Sequence, residues 1–411
     1  MATERVVVLS FSRIARDRRV QRQCAALADR GELALVLGYA DDQDSIPYPF
    51  KNHASPTPSL SHRLSTVSRQ LPACLGTWAA KRGFWLARRH RWALDGLKDA
   101  APTRIVANDW PALVVAAAYK RLKPGVRIHY DTHEFAALEF DESLWWRIVY
   151  KPFVQRLEAA HISAADVIST VGARLAEALQ QHHHLPRTPV VIRNVPDRIH
   201  VEEHPSAWPL RLLYHGHILP GRGLEALIDS IPLWKLPHQL IIRGDAQPGY
   251  LAALRRRPAL LHGPRRVSFE PAVPPDQVLP VAAANSDLGV FVTTLDTPQR
   301  HLTMPNKLFE YIGAGLAVLV SPAADMRSLV EAYGVGLVSA DASPQAIAAA
   351  LNSLDLASVE RFRMAARKAA KELCWEVERN VFNTLHDRML NSAPLAARGG
   401  DPFRKDSRDD Q

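Results

Sequence analysis

The chain has 411 residues, of which 47% are hydrophobic, and this length with room for full-sized cores predicts two domains rather than one. The formal net charge of +9 favours polyanionic partners such as nucleic acid, anionic lipid or phosphorylated substrates. Three scattered cysteines indicate a reducing compartment and argue against a metal site: Cys24, Cys74 and Cys374. Without a visible signal peptide or membrane-spanning run, we expect a cytoplasmic protein, or a peripheral one on the inner face of a membrane.

The first half of the chain opens with a strand, a helix and a strand, the beginning of a doubly wound parallel sheet. We predict a strand over 6–10, a helix over 20–31 and a strand over 33–39. The loop after the first strand lies where such sheets bind ligands, and it lacks the glycine fingerprint of a dinucleotide site. Asp17 and Arg18 in this loop are therefore candidate ligand contacts, although Asp17 can equally be a simple helix cap.

Two charged segments of the first half have more than one interpretation. Asp42 and Asp44 have the spacing of a metal-binding D-x-D pair, but a short acidic loop is more often only solvated. Residues 78–92 interleave tryptophans with lysines and arginines. Such a helix can lie on an anionic membrane, contact nucleic acid through phosphates and stacking, or simply be a surface helix whose tryptophans pack inward.

Polar side chains follow two predicted strands at their carboxyl ends. One strand covers 103–107 and is followed by Asp109, and another covers 126–130 and is followed by His133 and Glu134. Titratable groups at this edge of a parallel sheet are typical of a site. We expect His133 to face the reaction centre, where its ring can donate to a substrate hydroxyl or to the reacting oxygen. A structural histidine is the alternative.

The second half repeats the strand–helix alternation after a polar, proline-bearing stretch over 197–209 that predicts a linker. Its first loop, GHILPGRG, places Arg222 between Gly221 and Gly223. Glycines let the backbone approach a phosphate, and a guanidinium can hold one with paired hydrogen bonds. Arg222 therefore predicts a phosphate site, unless it is only a residue of a surface turn.

The stretch over 304–322, MPNKLFEYIGAGLAVLVSP, predicts a helix that starts at Pro305, a glycine stop and a buried strand. A helix start offers free N–H groups and partial positive charge, and Lys307 adds a full charge, so the segment can receive a phosphate. Glu310 lies about one turn further along, where a carboxylate can accept from a pair of hydroxyls. The alternative is a core helix with solvated Lys307 and Glu310.

This stretch resembles the signature of GT-B glycosyltransferases, in particular of the retaining family four. The loop at Arg222, the phrase YDTHE at His133 and a tryptophan-bearing helix near the end resemble the same family. The resemblance implies an α/β fold of two facing Rossmann-like domains with a C-terminal helix that crosses back to the first domain. The implied divisions are an acceptor-side domain over 1–196, a linker over 197–209, a nucleotide-sugar-binding domain over 210–371, the returning helix over 372–390 and a disordered tail over 391–411.

The resemblance also implies roles for particular residues. Glu310 would bind the ribose hydroxyls of the donor, Arg222 and Lys307 would neutralise its diphosphate, and His133 would contact its sugar. Further donor-binding positions are Asn306, Leu308, Gly221, His217, Gly244 and Val273, and positions on the acceptor or sugar side are Asp17, Arg18, Asp109 and Glu134. The family motif has two glutamates, and Leu302 stands in place of the first, which bears on how the sugar ring is held.

We therefore expect a retaining, metal-independent hexosyltransferase that needs no cofactor and moves a sugar from a nucleoside-diphosphate sugar to a lipid-linked or cell-surface glycan precursor. We expect no nucleic-acid partner, and a membrane contact through 78–92. Other interpretations stay open: an inverting transferase or nucleotide-sugar epimerase of the same fold, a nucleic-acid-binding protein, or a degenerate relative that only binds a partner. A metal site at Asp42 and Asp44 would instead resemble the other glycosyltransferase fold, GT-A.

Overall fold

The computed structural model describes residues 4–54, 70, 76–261 and 266–391. Cys74 and the tail predicted beyond residue 391 lie outside these ranges.

The first sheet is built from short apolar strands that are buried on both faces, as parallel strands between helices require. Its seven strands have the order β3-β2-β1-β4-β5-β6-β7, and all pairs are parallel. They are β1 Val6–Arg13, β2 Leu33–Tyr39, β3 Phe50–Asn52, β4 Arg104–Asn108, β5 Arg127–Asp131, β6 Val167–Thr170 and β7 Val190–Val191. The strand order reverses between β1 and β4, and this is the point at which doubly wound sheets bind ligands.

The second sheet has six parallel strands in the order β10-β9-β8-β11-β12-β13. They are β8 Arg211–His215, β9 Gln239–Arg243, β10 Val267–Glu270, β11 Leu288–Phe291, β12 Ala317–Val320 and β13 Gly336–Val338. Its strand order reverses between β8 and β11. The prediction of two Rossmann-like domains is therefore confirmed.

Helices connect the strands of both sheets and supply the rest of the two cores. They are α1 Arg18–Asp29, α2 Thr77–Trp85, α3 Arg88–Ala100, α4 Asp109–Leu122, α5 Lys151–Ala159, α6 Ala173–His183, α7 Leu224–Asp229, α8 Pro248–Arg255, α9 Pro258–Leu261, α10 Val278–Asn285, α11 Pro298–His301, α12 Asn306–Gly313, α13 Ala324–Tyr333, α14 Pro344–Asn352, α15 Leu356–Ala369 and α16 Trp375–Asn391. Within the described residues, no helix is both long enough and apolar enough to span a bilayer.

The last helix, α16, returns to the first domain, as the sequence predicted. The Trp375 N–H donates to the Pro196 carbonyl over 2.9 Å, and the Glu378 carboxylate accepts from Arg193 over 3.0 Å. Deeper in the first domain, a ring nitrogen of His386 lies 3.2 Å from one of His129. Helix α16 therefore attaches the end of the second domain to the first domain.

A second contact between the domains lies at the start of α6. Its first turn has free N–H groups, and the Asp325 carboxylate of the second domain accepts from the Arg174 N–H over 3.0 Å. Beside it, Leu302 and Met304 pack against an apolar cluster of the first domain that includes Leu175. Both contacts join the walls of the cleft between the domains.

Candidate active site

A cleft of about 1020 Å³ lies between the two domains, at the carboxyl ends of both sheets. Its size suits a nucleotide sugar, because small-molecule sites commonly enclose about 300–1,000 Å³. The structure brings eight of the predicted site residues to its walls: Asp17, Arg18, His133, Glu134, Arg222, Asn306, Lys307 and Glu310. Leu302, which replaces the first glutamate of the family motif, also lines the cleft.

Lys307 reaches into the cleft from the first turn of α12. This helix begins at Asn306, and Pro305 is its N-cap with an extended backbone rather than its first helical residue. The Lys307 side chain passes over Gly216, so that a Cβ at this glycine would lie 2.4 Å from the Lys307 Cε atom. The Nζ atom lies 5.8 Å from the centre of the Tyr214 ring and 5.5 Å from that of Phe291.

The charge of Lys307 is held in a site that disfavours it. Burial lowers the pKa of Lys307, nearby Arg222 lowers it further, and Glu310 only partly opposes them, so that the pKa falls to about 8. Within the described part of the chain, its ammonium forms no ion pair with a carboxylate. An anion that entered the cleft would therefore find an uncompensated cation.

Glu310 projects into the cleft one turn after Lys307. Its Oε2 atom lies 3.3 Å from the Nε2 atom of His215, the last residue of β8. Burial, together with the nearby charges of Lys307 and Arg243, lowers the pKa of His215 to about 3, so this ring is neutral. Burial also raises the pKa of Glu310 above its ordinary value. Sequence reasoning missed His215, although its place directly before Gly216 of the loop was a usable signal.

The loop that carries Arg222 depends on its glycines. Gly221 and Gly223 have positive φ angles of 78° and 75°, a region that glycine adopts without strain. A Cβ at Gly223 would lie 1.8 Å from the Val292 carbonyl oxygen, so no side chain fits there. The Thr293 hydroxyl donates to the Gly221 carbonyl over 3.0 Å and fixes the turn. Arg222 itself is exposed and lines the cleft.

His133 stands on the opposite wall between two carboxylates. Its Nδ1 atom lies 3.6 Å from the Asp109 Oδ2 atom, and its Nε2 atom lies 3.4 Å from the Asp131 Oδ2 atom. Burial by itself would lower the pKa of His133, but the two carboxylates outweigh it and raise the pKa to about 9. The ring is therefore a cation at neutral pH.

Asp109 reaches His133 from a strained backbone position. Its φ angle of 64° is rare for a residue with a side chain. This conformation also lets the Asp109 Oδ1 atom accept from the His133 N–H over 3.2 Å. Asp109 does not line the main cavity, but it holds the backbone and the ring of His133.

Asp131 is the second residue that sequence reasoning missed. It is fully buried, and Arg19 donates two hydrogen bonds of 2.6 and 2.7 Å to its carboxylate. The Ser169 hydroxyl donates to it over 2.5 Å and lies 2.7 Å from the ring of His129. Burial alone would raise the pKa of Asp131, but Arg19 holds it well below its ordinary range. Since His129 contacts α16, a buried chain of hydrogen bonds connects the returning helix to the site.

Asp17 is a helix cap that also lines the cleft. Its Oδ1 atom accepts from the Val20 N–H over 3.1 Å, and its Oδ2 atom accepts from the Ser12 hydroxyl over 2.7 Å. The capping alternative is therefore what the geometry shows for this carboxylate. Its neighbour Arg18 donates to Gln21 over 3.1 Å.

Several predicted donor-binding positions lie away from the cavity wall. Leu308 is fully buried in the core, because it belongs to the apolar face of α12, and its side chain packs beneath the site instead of lining it. Gly244 packs against the backbone of Gly216, where a Cβ would lie 1.9 Å from the Gly216 oxygen. The positions that do not line the cavity are Leu308, Gly221, His217, Gly244 and Val273.

The acidic loop after β2 is engaged within the first domain. The Asp44 carboxylate accepts from the Asp41 N–H over 2.8 Å, and the Arg13 guanidinium lies 3.8 Å from it. In the described ranges, no group of three or more histidine, cysteine, aspartate or glutamate side chains could hold a metal ion.

The aromatic side chains of 78–92 divide between solvent and core. Trp78 is 73% exposed, whereas Phe84 is buried and stacks on His90. A second exposed group, which sequence reasoning missed, lies just before α5: Leu144, Trp145 and Ile148. A wide helical turn over Trp146–Tyr150 leads from this group directly into α5.

Residues 209–355 match the family described as Glycosyl transferases group 1. A search of curated proteins by sequence gives no match. Among solved structures, HepE from Anabaena, crystallised with UDP and glucose, is similar with 17% identity and a TM-score of 0.67, covering 93% of this chain and 100% of that one. Sucrose-phosphate synthase from Thermosynechococcus elongatus is similar with 14% identity and a TM-score of 0.71, covering 95% and 100%.

The lipopolysaccharide outer core galactosyltransferase WaaB is similar with 12% identity and a TM-score of 0.65, covering 94% of this chain and 99% of that one. At such identities these likenesses show the fold, and the family match adds the kind of domain. Residues 209–355 therefore form a Glycosyl transferases group 1 domain, and the protein is a glycosyltransferase of the GT-B fold.

Proposed function

We propose that the protein is a retaining, metal-independent hexosyltransferase that uses a nucleoside-diphosphate sugar as donor. The observation that carries this proposal is the pair Lys307 and Arg222. Both cations line the cleft beside the start of α12, and neither forms an ion pair with a described residue. A diphosphate would fit there, because the helix start adds free N–H groups and partial positive charge.

In this proposal the two cations also supply the catalysis. When the bond from the sugar to the diphosphate breaks, negative charge grows on the leaving group. Lys307 and Arg222 are in place before the reaction, so they stabilise that charge without reorganisation. Two fixed cations can fulfil the electrostatic task that a metal ion performs elsewhere, which supports metal independence and the absence of any cofactor.

Glu310 and Asn306 are proposed to hold the nucleoside part of the donor. The Glu310 carboxylate can accept from both ribose hydroxyls. The neutral ring of His215 contacts one oxygen of this carboxylate. Backbone atoms near Gly244 and Val273 are proposed to contact the base. Because HepE has been crystallised with UDP-glucose, a UDP-sugar is the first donor to test.

His133 is proposed to serve the sugar side. As a cation at neutral pH, it can donate a hydrogen bond to a sugar hydroxyl or to the reacting oxygen. Glu134, Asp17 and Arg18 share its part of the cleft, and they are proposed to contact the sugar or the acceptor. Retention is proposed because residues 304–322 resemble the signature of a retaining family. Nuclear magnetic resonance of the product's anomeric proton would test it.

A lipid-linked or cell-surface glycan precursor is proposed as the acceptor, with the membrane as its source. Support comes from exposed Trp78 and Leu86 on a basic segment, since aromatic and aliphatic groups beside cations suit an anionic headgroup layer. The exposed group Leu144, Trp145 and Ile148 adds apolar surface. Flotation with anionic vesicles, compared for the wild type and Trp78→Ala, would test the contact.

The experiment that tests the donor site is a thermal-shift screen against UDP, GDP, ADP, TDP and CMP, with and without Mn²⁺. A ligand at about 100 times its dissociation constant adds roughly 2.7 kcal/mol of stability. We expect one nucleoside diphosphate to stand out without metal. The absence of any shift would contradict the proposal, and a shift that requires Mn²⁺ would favour a GT-A-like site.

The assigned roles are tested by turnover. Arg222→Ala and Lys307→Ala are each expected to lower it at least about 10²-fold, by analogy with the loss of one oxyanion donor. The exposed Arg187, which lies outside the cleft, provides a matched control as Arg187→Ala. Activity near wild type in both cleft variants would exclude these roles.

Two other results would point to a different function. Conversion of free donor without an acceptor would indicate an epimerase. Steep salt-dependent binding of DNA or RNA without nucleotide-sugar binding would indicate a nucleic-acid-binding protein.

A further inference from the structure

We propose that the acceptor of this enzyme carries a phosphate or diphosphate group, and that Arg16 and Arg18 bind it on the first-domain wall of the cleft. This inference rests on the proposed transfer reaction, whose donor occupies the second-domain wall. It assigns a second anion subsite within the same cleft.

The first observation is that neither guanidinium group forms an ion pair with a carboxylate of the described residues. Arg16 and Arg18 are exposed side chains that line the cleft. Arg16 lies between β1 and α1, and Arg18 is the first residue of α1. Arg16 has no hydrogen bond or ion pair to any residue of the described ranges, and Arg18 donates only to the neutral Gln21 side chain. Their neighbours behave differently: Arg13 pairs with Asp41, and Arg22 lies 3.4 Å from the Asp197 carboxylate.

The second observation concerns the carboxylates that could neutralise the pair. Asp17 stands between the two arginines in sequence, but its oxygens accept from the Val20 N–H and the Ser12 hydroxyl at the start of α1. Asp276 lines the same cleft from the second domain, close enough to sense the charge of Arg18, yet it forms no ion pair with it. Space between the walls is therefore left for a ligand that brings its own negative charge.

The charges of the proposed substrates complete the argument. The diphosphate of a nucleotide sugar carries two negative charges, and Lys307 with Arg222 already supplies two positive ones. Arg16 and Arg18 are therefore in excess of what the donor needs. An uncharged acceptor would leave both guanidinium groups without an anionic partner. A phosphate group satisfies both, because guanidinium groups bind phosphate oxygens through paired hydrogen bonds.

The test is titration calorimetry of inorganic pyrophosphate into the enzyme saturated with UDP, so that the donor subsite is already filled. We expect the wild type to bind pyrophosphate, and the double variant Arg16→Ala, Arg18→Ala to bind it at least about tenfold more weakly. Arg187→Ala, which removes an exposed arginine outside the cleft, is the control and should bind like the wild type. Arg16→Lys with Arg18→Lys should recover part of the affinity, since the charge remains but the paired hydrogen bonds are lost.

A further readout separates this inference from the proposed function. UDP binding should be unchanged in the double alanine variant, because UDP lacks the sugar and its proposed contacts lie on the second-domain wall. Failure of UDP to bind the wild type would contradict the proposed function. Normal UDP binding together with absent pyrophosphate binding, or with pyrophosphate binding that the double variant retains, would overturn the anion subsite.

The source of the phosphate is distinguished with vesicles. If the double variant loses binding to vesicles that contain phosphatidic acid, relative to Arg187→Ala, as well as to pyrophosphate, the subsite takes a lipid-borne phosphate. If only pyrophosphate binding is lost, the acceptor is a soluble phosphorylated molecule. Both outcomes support the subsite.

Discussion

Raising the pH is expected to weaken the binding of UDP through the loss of one charge at Lys307. The ammonium lies over Gly216, beside two aromatic rings and near Arg222, and these surroundings lower its pKa to about 8. A diphosphate is attracted by the charged form. Binding should therefore be strong below this pKa and decline as the pH rises through it.

The size of the effect follows from the pKa. With a pKa of about 8, the charged fraction of Lys307 is roughly 0.9 at about pH 7 and roughly 0.09 at about pH 9. If only the charged form binds, affinity for UDP falls by about tenfold over this range. Since the bound diphosphate raises the pKa again, binding above the pKa takes up a proton, which calorimetry detects as a dependence on buffer ionisation enthalpy.

The matched control is Lys307→Arg, because a guanidinium remains charged over the whole range. Its affinity for UDP should be nearly independent of pH. Neutral His215, with a pKa of about 3, does not titrate here. His133 has a pKa of about 9, but it lies on the sugar side and UDP lacks the sugar. A flat profile in the wild type, or the same decline in Lys307→Arg, would refute the reasoning.

Three further variants test particular contacts. Asp131→Asn removes a carboxylate that keeps His133 protonated, so the activity should fall at a lower pH than in the wild type. Arg19 is then left buried without its charged partner, which should lower the free energy of unfolding by about 3–5 kcal/mol. An unchanged pH profile of the folded variant would argue against the positioning role of Asp131. Gly216→Ala would place a Cβ 2.4 Å from Lys307 Cε and should weaken UDP binding at least about tenfold, whereas Gly249→Ala, with nothing within 4 Å of its Cβ, should bind UDP normally. Asp325→Ala removes the cap that joins α13 to α6 and should enlarge the radius of gyration in X-ray scattering relative to the control Glu331→Ala; equal radii would show that this contact does not hold the domains together.

The sequence by itself determined the parts of this protein that short stretches encode. Alternating apolar strands and helices predicted two Rossmann-like domains, because burial on both faces of a parallel sheet leaves a continuous apolar pattern. The positions of Lys307 and Glu310 followed from a helix start and one turn of spacing. The flanking glycines of Arg222 marked a tight turn. Each of these signals involves residues only a few positions apart.

Only the tertiary structure decided which side chains meet and how their charges respond. Asp131 is separated from Arg19 by 112 positions and from the returning helix by far more, so no local pattern reveals that it is buried, paired and in contact with His133. The same holds for Gly216 beneath Lys307 and for His215 behind Glu310. A pKa depends on burial and on neighbouring charges, and both are set by chain segments that the fold brings together from distant parts of the sequence.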